Sequence, residues 1–516
     1  MKIFLGAELF FESLYKLGIK TIFGLPGGYV LKIYDVMPAY AKKINHILTR
    51  HEQAATHMAD GFSRASGLPG IILCTSGPAA TNTVTGISTA YMDSVPVLIF
   101  TGQVPTPFLG SDAFQEADHI GITRSTTKHN TLVRKTIDLP KAIAEALHIS
   151  NTGRKGPVLV DMPKDVLLGE SQFRIPKKIN LPNYIDEPKI SQKSLRDFKI
   201  KLKKSKKPLL IFGRGACYQE NTKNISFILK KFKIPSLTSL LSLGLVKSDV
   251  SFGMIGSSGS YASSKLIEDS DHIISVGCDI NKILAKNSLK KKEMTIVDID
   301  KTQLDPLTKK HLNINSSSVS FLNFMAKDID SYEAEWSADF LLDIKSGNKK
   351  LENKEISKNK KAYIFSKISD ILGKKAVICS DFSHEDVNLQ QFYKFNDYRN
   401  NILSGGTGTP GYGFPAAIGA TFSRPKAKVV SISSGTNFQF NMQEMIVALE
   451  QGLDLTIIVL NDKYLKKSLK YKGPDYKSLA ESFGAKAYQC NFDSKIDSNL
   501  KKTLNLKGLV LLEIRI

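Results

Sequence analysis

Short apolar runs bounded by turn residues alternate with segments of helical periodicity through the N-terminal third of the chain. These runs predict buried parallel strands at 21–23, 71–74, 97–100 and 157–161. Between the second and third runs, residues 81–91 have the spacing of a helix. Alternating strands and helices predict a doubly wound parallel sheet, in which ligands bind beyond the carboxyl ends of the strands.

The same alternation returns twice further along the chain. The later runs predict strands at 208–212, 273–277 and 294–300, and then at 376–379, 429–432, 455–460 and 509–514. The charged segments between these groups are interpreted as linkers, at 169–189 and at 331–360, where Trp336 is the only tryptophan. The pattern therefore predicts an α/β protein of three doubly wound parallel-sheet domains, at 1–168, 191–330 and 361–516.

The segment at 50–67, RHEQAATHMADGFSRASG, predicts a helix with many small residues and one early acid, Glu52. Small residues allow the helix to pack closely against a neighbour, which predicts a buried position for the carboxylate. Burial raises the pKa of a carboxyl group, so that it can exchange a proton near neutral pH. The alternative is a structural role for Glu52 as a cap or ion-pair partner at the helix start.

The formal charge is strongly positive, at +22 from 71 basic and 49 acidic residues. An excess of this size suits nucleic acid or an anionic surface. The lysines, however, cluster in loops and linkers such as 199–207, 286–292 and 349–361, without a basic stripe interleaved with aromatic residues. The sequence therefore predicts no nucleic-acid partner.

The five cysteines are scattered without metal-ligand spacing, and several lie inside apolar runs, where cysteine behaves as a small hydrophobe. This usage fits a reducing cytosol and predicts a cytoplasmic protein. Glu8 and Glu12 interrupt the apolar N-terminal residues, which indicates an amphipathic helix rather than a signal peptide. No apolar run is long enough to span a bilayer, so no membrane association is predicted.

Four stretches after Glu52 give the chain a specific resemblance. They are TSGPAATN at 75–82, AYMDSVPV at 90–97, TGQV at 101–104 and SDAFQEADHIGITRSTTKHN at 111–130. Together they resemble the large, catalytic subunit of acetolactate synthase, a thiamine-diphosphate enzyme, and the likeness continues collinearly to the end of the chain. The resemblance implies a pyrimidine-binding first domain and a diphosphate-binding third domain. It also implies that Glu52 protonates the aminopyrimidine ring of the cofactor.

The resemblance further implies which residues contact the substrate. Phe114, Gln115 and Lys164 match positions that line the family's substrate channel, so Gln115 and Lys164 join Glu52 as candidate catalytic residues. A Phe114 packed in the core and a solvated Lys164 are the alternatives. Tyr29 follows the Pro-Gly-Gly turn where the family has a small residue, and it narrows the site if its ring points inward.

The seat of thiamine diphosphate is expected to join loops of the first and third domains. The stretch LSGGTGTPGYGFPAAIGA at 403–420 resembles the family's cofactor loop, with Pro410 where the family has methionine. The positions that match cofactor contacts are Pro26, Gly27, Glu52, Ser76, Asn82, His384, Gly405, Gly406, Thr407, Pro410, Gly435, Thr436 and Asn437.

The resemblance also implies Mg²⁺, which takes oxygen ligands beside the diphosphate. The FQFN stretch at 438–441 sets the register, which places Gly435 where the family has its metal-binding aspartate. Asp462 stands where the family usually has asparagine, so Asp462 and the backbone oxygen of Tyr464 are the expected metal ligands. On this register, Gly435→Asp is expected to strengthen metal binding.

The family places FAD, in a structural role, in the second domain. The Gly213-Arg214-Gly215 turn is weak evidence for a nucleotide site on its own. Where the family tends to carry GARFDD, this chain reads GCDINK, so that Asp279 replaces an arginine. An anion is unfavourable near a diphosphate, and the sequence therefore argues against strong FAD binding.

Three functions are compatible with these residues. The first is a transferase that decarboxylates pyruvate on thiamine diphosphate and joins the product to a second 2-oxo acid, in branched-chain amino acid biosynthesis. The second is another lyase reaction of a 2-oxo acid on the same cofactor. The third, favoured by Gly435, is a catalytically inactive paralogue with a binding or regulatory role. The resemblance implies sites shared between subunits of a homodimer or homotetramer, and it leaves a small regulatory subunit open.

Overall fold

Three parallel sheets follow one another along the chain, one in each predicted domain. The structure, a computed structural model, describes residues 2–247, 250–257, 259–284, 292–304, 311–381, 387–462, 464–466, 469–470 and 473–516. The predicted α/β fold class is confirmed. The exact domain limits stay a prediction.

The first domain is built around a parallel sheet with helices on both faces. Its strands are β1 (Ile3–Leu5), β2 (Thr21–Gly24), β3 (Asn45–Leu48), β4 (Gly70–Cys74), β5 (Val97–Gln103), β6 (His129–Leu132), β7 (Val158–Pro163) and β8 (Glu170–Gln172). The parallel order is β3-β2-β4-β5-β7-β6, and β1 pairs antiparallel with β8. The helices are Gly6–Lys16, Leu31–Val36, Glu52–Ser66, Pro78–Asn82, Val84–Met92, His119–Thr123, Leu139–Asn151 and Lys164–Leu168.

The helix predicted at 81–91 is wrong in its bounds, because the structure has two helices there, Pro78–Asn82 and Val84–Met92. Thr83 lies between them. Its backbone N–H and its hydroxyl both donate to the Ala80 carbonyl oxygen, at 3.1 and 2.6 Å. This tighter turn interrupts the helical hydrogen-bond ladder.

The second domain has a parallel sheet in the order β10-β9-β11-β12-β13. Its strands are β9 (Pro208–Phe212), β10 (Ser236–Thr238), β11 (His272–Val276), β12 (Glu293–Asp298) and β13 (Leu312–Asn315). The described helices are Gln192–Lys204, Gln219–Phe232, Tyr261–Asp269, Ile280–Ile283 and Ser318–Lys327.

The linker predicted at 331–360 is wrong, because most of it is the helix Ala338–Lys358. Trp336, just before this helix, is buried in the core of the second domain, and its indole N–H donates to the Pro208 carbonyl oxygen at 2.8 Å. Ile344 is the only buried residue of the helix, so its sequence carries little amphipathic signal. None of the described helices combines the length and apolar composition needed to cross a membrane.

The third domain repeats the parallel sheet, in the order β15-β14-β16-β17-β21-β20. Its strands are β14 (Val377–Asp381), β15 (Asn401–Leu403), β16 (Val429–Ser434), β17 (Leu455–Asn461), the antiparallel pair β18 (Tyr464–Lys466) and β19 (Leu469–Lys470), β20 (Lys486–Asn491) and β21 (Leu509–Arg515). The described helices are Lys360–Leu372, Gly413–Ser423, Gly435–Phe438, Met445–Glu450, Tyr476–Phe483 and Ile496–Leu504.

The first and third domains meet where the helix Glu52–Ser66 crosses the helix Gly413–Ser423. A Cβ atom on Gly61 would lie 2.1 Å from the Ala416 carbonyl oxygen, and one on Gly419 would lie 1.9 Å from the Met58 carbonyl oxygen. The backbones can approach this closely only because both positions are glycine. The small residues predicted to favour close packing therefore join two domains into one apolar core.

Candidate active site

Loops from four parallel strands meet at the carboxyl edge of the first sheet, and Tyr29 links three of them. Its backbone N–H donates to the Thr75 hydroxyl at 3.1 Å, and its own hydroxyl donates to the Phe114 carbonyl oxygen at 2.6 Å. The Lys164 ammonium group lies 5.9 Å from the centre of the Tyr29 ring. Tyr29 therefore holds the Pro-Gly-Gly turn against the loop that carries Phe114 and Gln115.

The side chains predicted to contact substrate are accessible at this edge. Phe114 is 80% exposed, so the alternative of a packed core residue is wrong for the single chain. Lys164 is exposed as well and begins the helix after β7. Their role toward a substrate stays a prediction.

A buried hydrogen-bonded pair fixes the loop beside Gln115. His119 Nε2 accepts from the Gly77 N–H at 3.1 Å, and His119 Nδ1 lies 3.0 Å from Asp161 Oδ1. Gly77 has φ 59°, and a Cβ atom there would lie 2.8 Å from the Gln115 carbonyl oxygen. Gln115 itself holds a left-handed φ of 60°. His119 and Asp161 thus maintain a strained local backbone at the position predicted for substrate contact.

Glu52 is the first residue of its helix, and His51 is the N-cap. The Asn82 side-chain amide donates to Glu52 Oε2 at 3.0 Å. The carboxylate is only partly buried in the single chain. The expected buried position is therefore wrong here, because Glu52 and Gln53 are partly exposed at the helix start, while the helix is buried from Ala54 onward along most of its length.

The first-domain edge fits the aminopyrimidine half of thiamine diphosphate. Within the described residues, Glu52 Oε1 has no hydrogen-bond partner and is open to a ring nitrogen. Ser76 is buried and its hydroxyl lacks a partner among the same residues, while Pro26 and Asn82 are exposed. A Cβ atom on Gly27 would lie 2.3 Å from the Thr75 side chain, which explains the need for glycine.

A second carboxylate, Glu444 of the third domain, lies close to the start of the Glu52 helix. Both of its oxygens accept from the Arg50 backbone N–H, at 3.2 and 3.3 Å. Burial raises the pKa of Glu444 to about 7, against the opposing effect of Arg50. The folded chain therefore holds a proton on Glu444 that an unfolded chain releases near pH 4.5.

We expect Glu444 to make stability fall as the pH rises. Its contribution is complete below the unfolded pKa near 4.5 and is lost as the pH rises through about 7, because the buried carboxyl must then ionise. Glu444→Gln should remove this dependence and shift the free energy of unfolding, relative to wild type, by about 1–3 kcal/mol between pH 5 and pH 8. Urea unfolding at both pH values measures the difference. The matched control is Glu450→Gln, whose carboxylate is accessible and pairs with Arg50. Parallel pH curves for Glu444→Gln and wild type would contradict the assignment.

The glycine loop predicted to seat the cofactor is fastened to the first domain by Asp93. The Asp93 carboxylate accepts from the N–H groups of Gly405 and Gly406, at 2.9 and 2.7 Å. Arg64 also binds Asp93 at 2.8 Å and binds Asp60 at 2.6 Å. All three ionic side chains are buried, so the loop is held by a fully desolvated network.

Gly405, Gly406 and Thr407 line a cavity of about 1400 Å³ between the three domains, formed largely by the second domain. Asp298 lies in its wall, and burial raises the pKa of this carboxyl to about 6. Asp279, which the sequence predicts to replace an arginine of the family, pairs with Lys282 at 2.6 Å. The cavity has room for a nucleotide, and its lining combines carboxylates with cations such as Arg154, Lys155 and Arg214.

The Gly-Arg-Gly turn of the second domain owes its glycines to packing. A Cβ atom on Gly213 would lie 2.2 Å from the Gly277 carbonyl oxygen, and one on Gly215 would lie 2.8 Å from the Gly277 Cα. These glycines therefore carry no evidence of their own for a bound nucleotide.

The carboxyl edge of the third sheet carries Asp381 and Gly435, at the ends of β14 and β16. Asp381 Oδ2 accepts from the Gly413 N–H at 2.9 Å, and burial raises the pKa of Asp381 to about 7. The buried Tyr476 hydroxyl donates to the Gly435 carbonyl oxygen at 2.7 Å and lies 2.8 Å from the position of a Cβ atom on Gly435. Tyr476 therefore fills the volume in which a side chain at position 435 would lie.

Among the described residues, the oxygen atoms at this edge do not fit Mg²⁺. Asp462 pairs with the Lys361 ammonium group at 3.0 Å. Ser434 caps the helix Gly435–Phe438 through Asn437 N–H, and its hydroxyl lies 3.1 Å from that of Thr436. In the part of the chain that the structure describes, no group of three or more His, Cys, Asp or Glu side chains could hold a metal ion.

The remaining positions predicted to bind the cofactor or the metal lie in the loops of the third domain. Pro410 is exposed after the glycine loop, and the Asn437 amide donates to the Asp381 backbone oxygen at 3.4 Å. His384 lies outside the described residues. Tyr464 lies in β18, and the structure describes its backbone but not its side chain. Roles for these residues toward a cofactor stay predictions.

Sequence reasoning missed the residues that act through long-range contacts, which are Arg64, Asp93, His119, Asp161, Asp381, Glu444 and Tyr476. Asp93 and His119 lie inside two of the stretches that carry the family resemblance. Tyr476 had no local signal, because it lies 41 positions from Gly435.

Comparisons with known proteins match three models of thiamine pyrophosphate enzymes along the chain. The N-terminal TPP binding domain matches residues 5–122, the central domain matches 197–323, and the C-terminal TPP binding domain matches 384–514.

Full-length relatives are also similar to the chain. The acetolactate synthase large subunit of Buchnera aphidicola subsp. Schizaphis graminum is 35% identical over 549 residues, covering 100% of this chain and 95% of the relative. That of Lactococcus lactis is 33% identical, covering 96% of this chain and 90% of the relative. The mitochondrial acetolactate synthase catalytic subunit of Saccharomyces cerevisiae is 31% identical, covering 99% of this chain and 80% of the relative.

Proposed function

Because this chain belongs to the acetolactate synthase large-subunit family of thiamine pyrophosphate enzymes, we propose that it decarboxylates pyruvate and joins the product to a second 2-oxo acid. The reaction is a carboligation in branched-chain amino acid biosynthesis. The observation that carries the proposal is Glu52, whose carboxylate stands at the first-domain edge with one oxygen held by Asn82 and the other open.

The chain's own residues divide the work at this edge. Thiamine diphosphate, when bound, supplies the electron sink for cleaving the bond between the carboxyl and carbonyl carbons. Glu52 Oε1 holds and moves a proton, while Asn82 fixes the orientation of the carboxylate through Oε2. The exposed Lys164 ammonium attracts the carboxylate of a 2-oxo acid, and Gln115 orients the acid. Phe114 covers it and excludes water.

The residues at the third-domain edge do not fit the divalent metal that the family uses, and no step of the proposed reaction depends on a metal. Gly435 lacks an oxygen-bearing side chain, and Asp462 is paired with Lys361. These departures favour a second candidate function, a catalytically inactive paralogue that keeps the fold for partner binding.

Assembly and location follow from the same proposal. We place the site between two copies of the chain, since Phe114 and the carboxylate of Glu52 are accessible in one copy. A homodimer is the smallest assembly that completes it, and a small regulatory subunit is a further partner, because the bacterial relatives are named large subunits. The five cysteines are free, which suits the cytoplasm.

Calorimetry with thiamine diphosphate, followed by an assay of pyruvate consumption, separates the two candidates. Binding together with pyruvate turnover is expected for the carboligase, and the product is identified as the acid formed by joining two 2-oxo acids. Binding without turnover of any 2-oxo acid would favour the inactive paralogue. Absence of binding at millimolar ligand would rule out the carboligase.

Tyr29→Phe is expected to raise the KM for pyruvate. The change removes the hydrogen bond to the Phe114 carbonyl oxygen and loosens the channel loop. A bond of about 0.5–1.5 kcal/mol corresponds to a KM increase of roughly 2–10-fold with little change in kcat. Steady-state kinetics measures both constants. Tyr34→Phe is the control, because the Tyr34 hydroxyl contacts His46 instead. An unchanged KM in Tyr29→Phe would contradict a role for the tether.

A further inference from the structure

The side chain of Tyr476 occupies a defined place against Gly435. Tyr476 begins the helix after the segment that follows β19, and its side chain is fully buried. Its hydroxyl donates to the Gly435 carbonyl oxygen at 2.7 Å and accepts from the Gln439 amide at 3.0 Å. The ring also packs edge-on against Phe438, with centroids 6.0 Å apart. Two hydrogen bonds and a ring contact hold the hydroxyl in place.

The Tyr476 hydroxyl lies where the side chain of a larger residue at position 435 would have to lie. A Cβ atom there would lie 2.8 Å from the Tyr476 hydroxyl oxygen and 3.2 Å from ring atoms Cε2 and Cζ. An aspartate carboxylate is larger than a methyl group, so it would collide with the Tyr476 hydroxyl, the nearest atom to that position. Replacing Gly435 alone therefore does not rebuild a ligand, contrary to the expectation from sequence.

Two other oxygen ligands near Gly435 are already engaged, whereas the buried Asp381 Oδ1 at the end of β14 has no hydrogen-bond partner among the described residues. The Asp462 carboxylate binds the Lys361 ammonium group, whose positive charge opposes a nearby divalent cation. The Ser434 hydroxyl accepts from the Asn437 N–H and contacts Thr436. A metal at this edge would have to break an ion pair and a helix cap.

We propose that the third-domain edge binds no divalent metal, and that the Tyr476 hydroxyl stands in place of a ligand at position 435. At this edge, the neutral hydrogen bonds of the Tyr476 hydroxyl with Gly435 and Gln439 take the place of a bound cation. Any diphosphate held there is bound without a bridging metal. The inference rests on the proposed function only for the identity of that diphosphate, and its tests do not depend on turnover.

The first test titrates the full-length protein with Mn²⁺ in the presence of thiamine diphosphate, using electron paramagnetic resonance to separate bound from free ion. Free thiamine diphosphate itself binds some Mn²⁺. Beyond that binding, we expect the wild-type protein to bind no Mn²⁺ with a Kd below roughly 1 mM. Specific binding with a Kd below about 0.1 mM would overturn the proposal. Such a result would contradict the metal proposal but not the carboligase function. An absence of pyruvate turnover would contradict the carboligase function but not the metal proposal.

The second test identifies Tyr476 as the obstacle. Gly435→Asp alone is expected to gain no Mn²⁺ affinity, while Gly435→Asp combined with Tyr476→Phe gains about tenfold or more. Gly435→Leu combined with Tyr476→Phe is the matched control, since leucine has a similar shape and no ligand atom. Equal gains for the single and double aspartate variants would show that Tyr476 is not the obstacle.

A milder pair tests the same contact if the aspartate variants do not fold. Gly435→Ala is expected to lower the thermal unfolding midpoint, because its methyl group meets the Tyr476 hydroxyl. Tyr476→Phe should lower the midpoint of wild type, because the Gly435 carbonyl oxygen loses its donor, yet raise the midpoint of Gly435→Ala. A decrease of the same size in both backgrounds would overturn the assignment of Tyr476.

Discussion

Glu52→Gln is expected to lower the rate of pyruvate consumption by about 10²–10⁴-fold, the range of a lost general acid–base group. Glutamine keeps the shape of the side chain and can still accept from the Asn82 amide, so the contact between positions 52 and 82 should persist. The amide cannot exchange a proton with a ring nitrogen at neutral pH. The loss should therefore fall on kcat, while thiamine diphosphate affinity changes much less.

Steady-state kinetics and calorimetry on the same preparation distinguish these effects. Glu220→Gln is a matched control, because Glu220 is also an acid in the first turn of a helix and is exposed. Its turnover should stay within about twofold of wild type, as expected of a surface substitution. If Glu52→Gln keeps full turnover, the proton-transfer role of Glu52 is wrong, and the carboligase proposal loses its main support.

Arg64→Met is expected to destabilise the protein by about 3–5 kcal/mol, the largest stability effect that we foresee. The guanidinium group bridges Asp60 and Asp93, and all three side chains are buried. The Tyr412 hydroxyl also binds Asp60. Removal of the single cation leaves two carboxylates without a counter-charge in a site that excludes water.

The effect should extend to the glycine loop, because Asp93 accepts from the Gly405 and Gly406 N–H groups. Urea unfolding measures the stability, and hydrogen exchange at 405–406 reports on the loop. The control is Lys141→Met, which removes the exposed cation of an ion pair with the half-buried Glu145 at 3.8 Å and should cost less than about 1 kcal/mol. A loss below about 1 kcal/mol in Arg64→Met would show that the network contributes little to stability.

The strands that the sequence predicted are the interior strands of the three sheets. The apolar runs correspond to β2, β4, β5 and β7, to β9, β11 and β12, and to β14, β16, β17 and β21. Interior strands are covered on both faces and both sides, so nearly every residue is apolar. The missed strands β3, β6, β10, β13, β15 and β20 are the edge strands of these sheets. Edge strands are short or partly solvated, and His129–Leu132 shows how polar such a strand can be.

The candidate site divides in the same way. The motif stretches that follow Glu52 could be placed at a carboxyl edge from the sequence. The carboxyl ends of parallel strands lie at the same edge of a sheet, whatever the conformation of the loops. The position of Glu52 itself was predicted less well, since burial of a helix's first turn depends on neighbours that the helix does not encode. The long helix Ala338–Lys358 was missed because it buries only Ile344 and lacks an apolar stripe.

The sequence by itself determined the three parallel sheets and the family to which the chain belongs. Apolar runs and motif stretches are local, so their meaning does not depend on distant contacts. Only the tertiary structure decided that Tyr476 fills the space beside Gly435, that Asp93 fastens the glycine loop and that Lys361 takes Asp462. These pairs join residues far apart in the chain, and folding brings them together through close packing that no local pattern records.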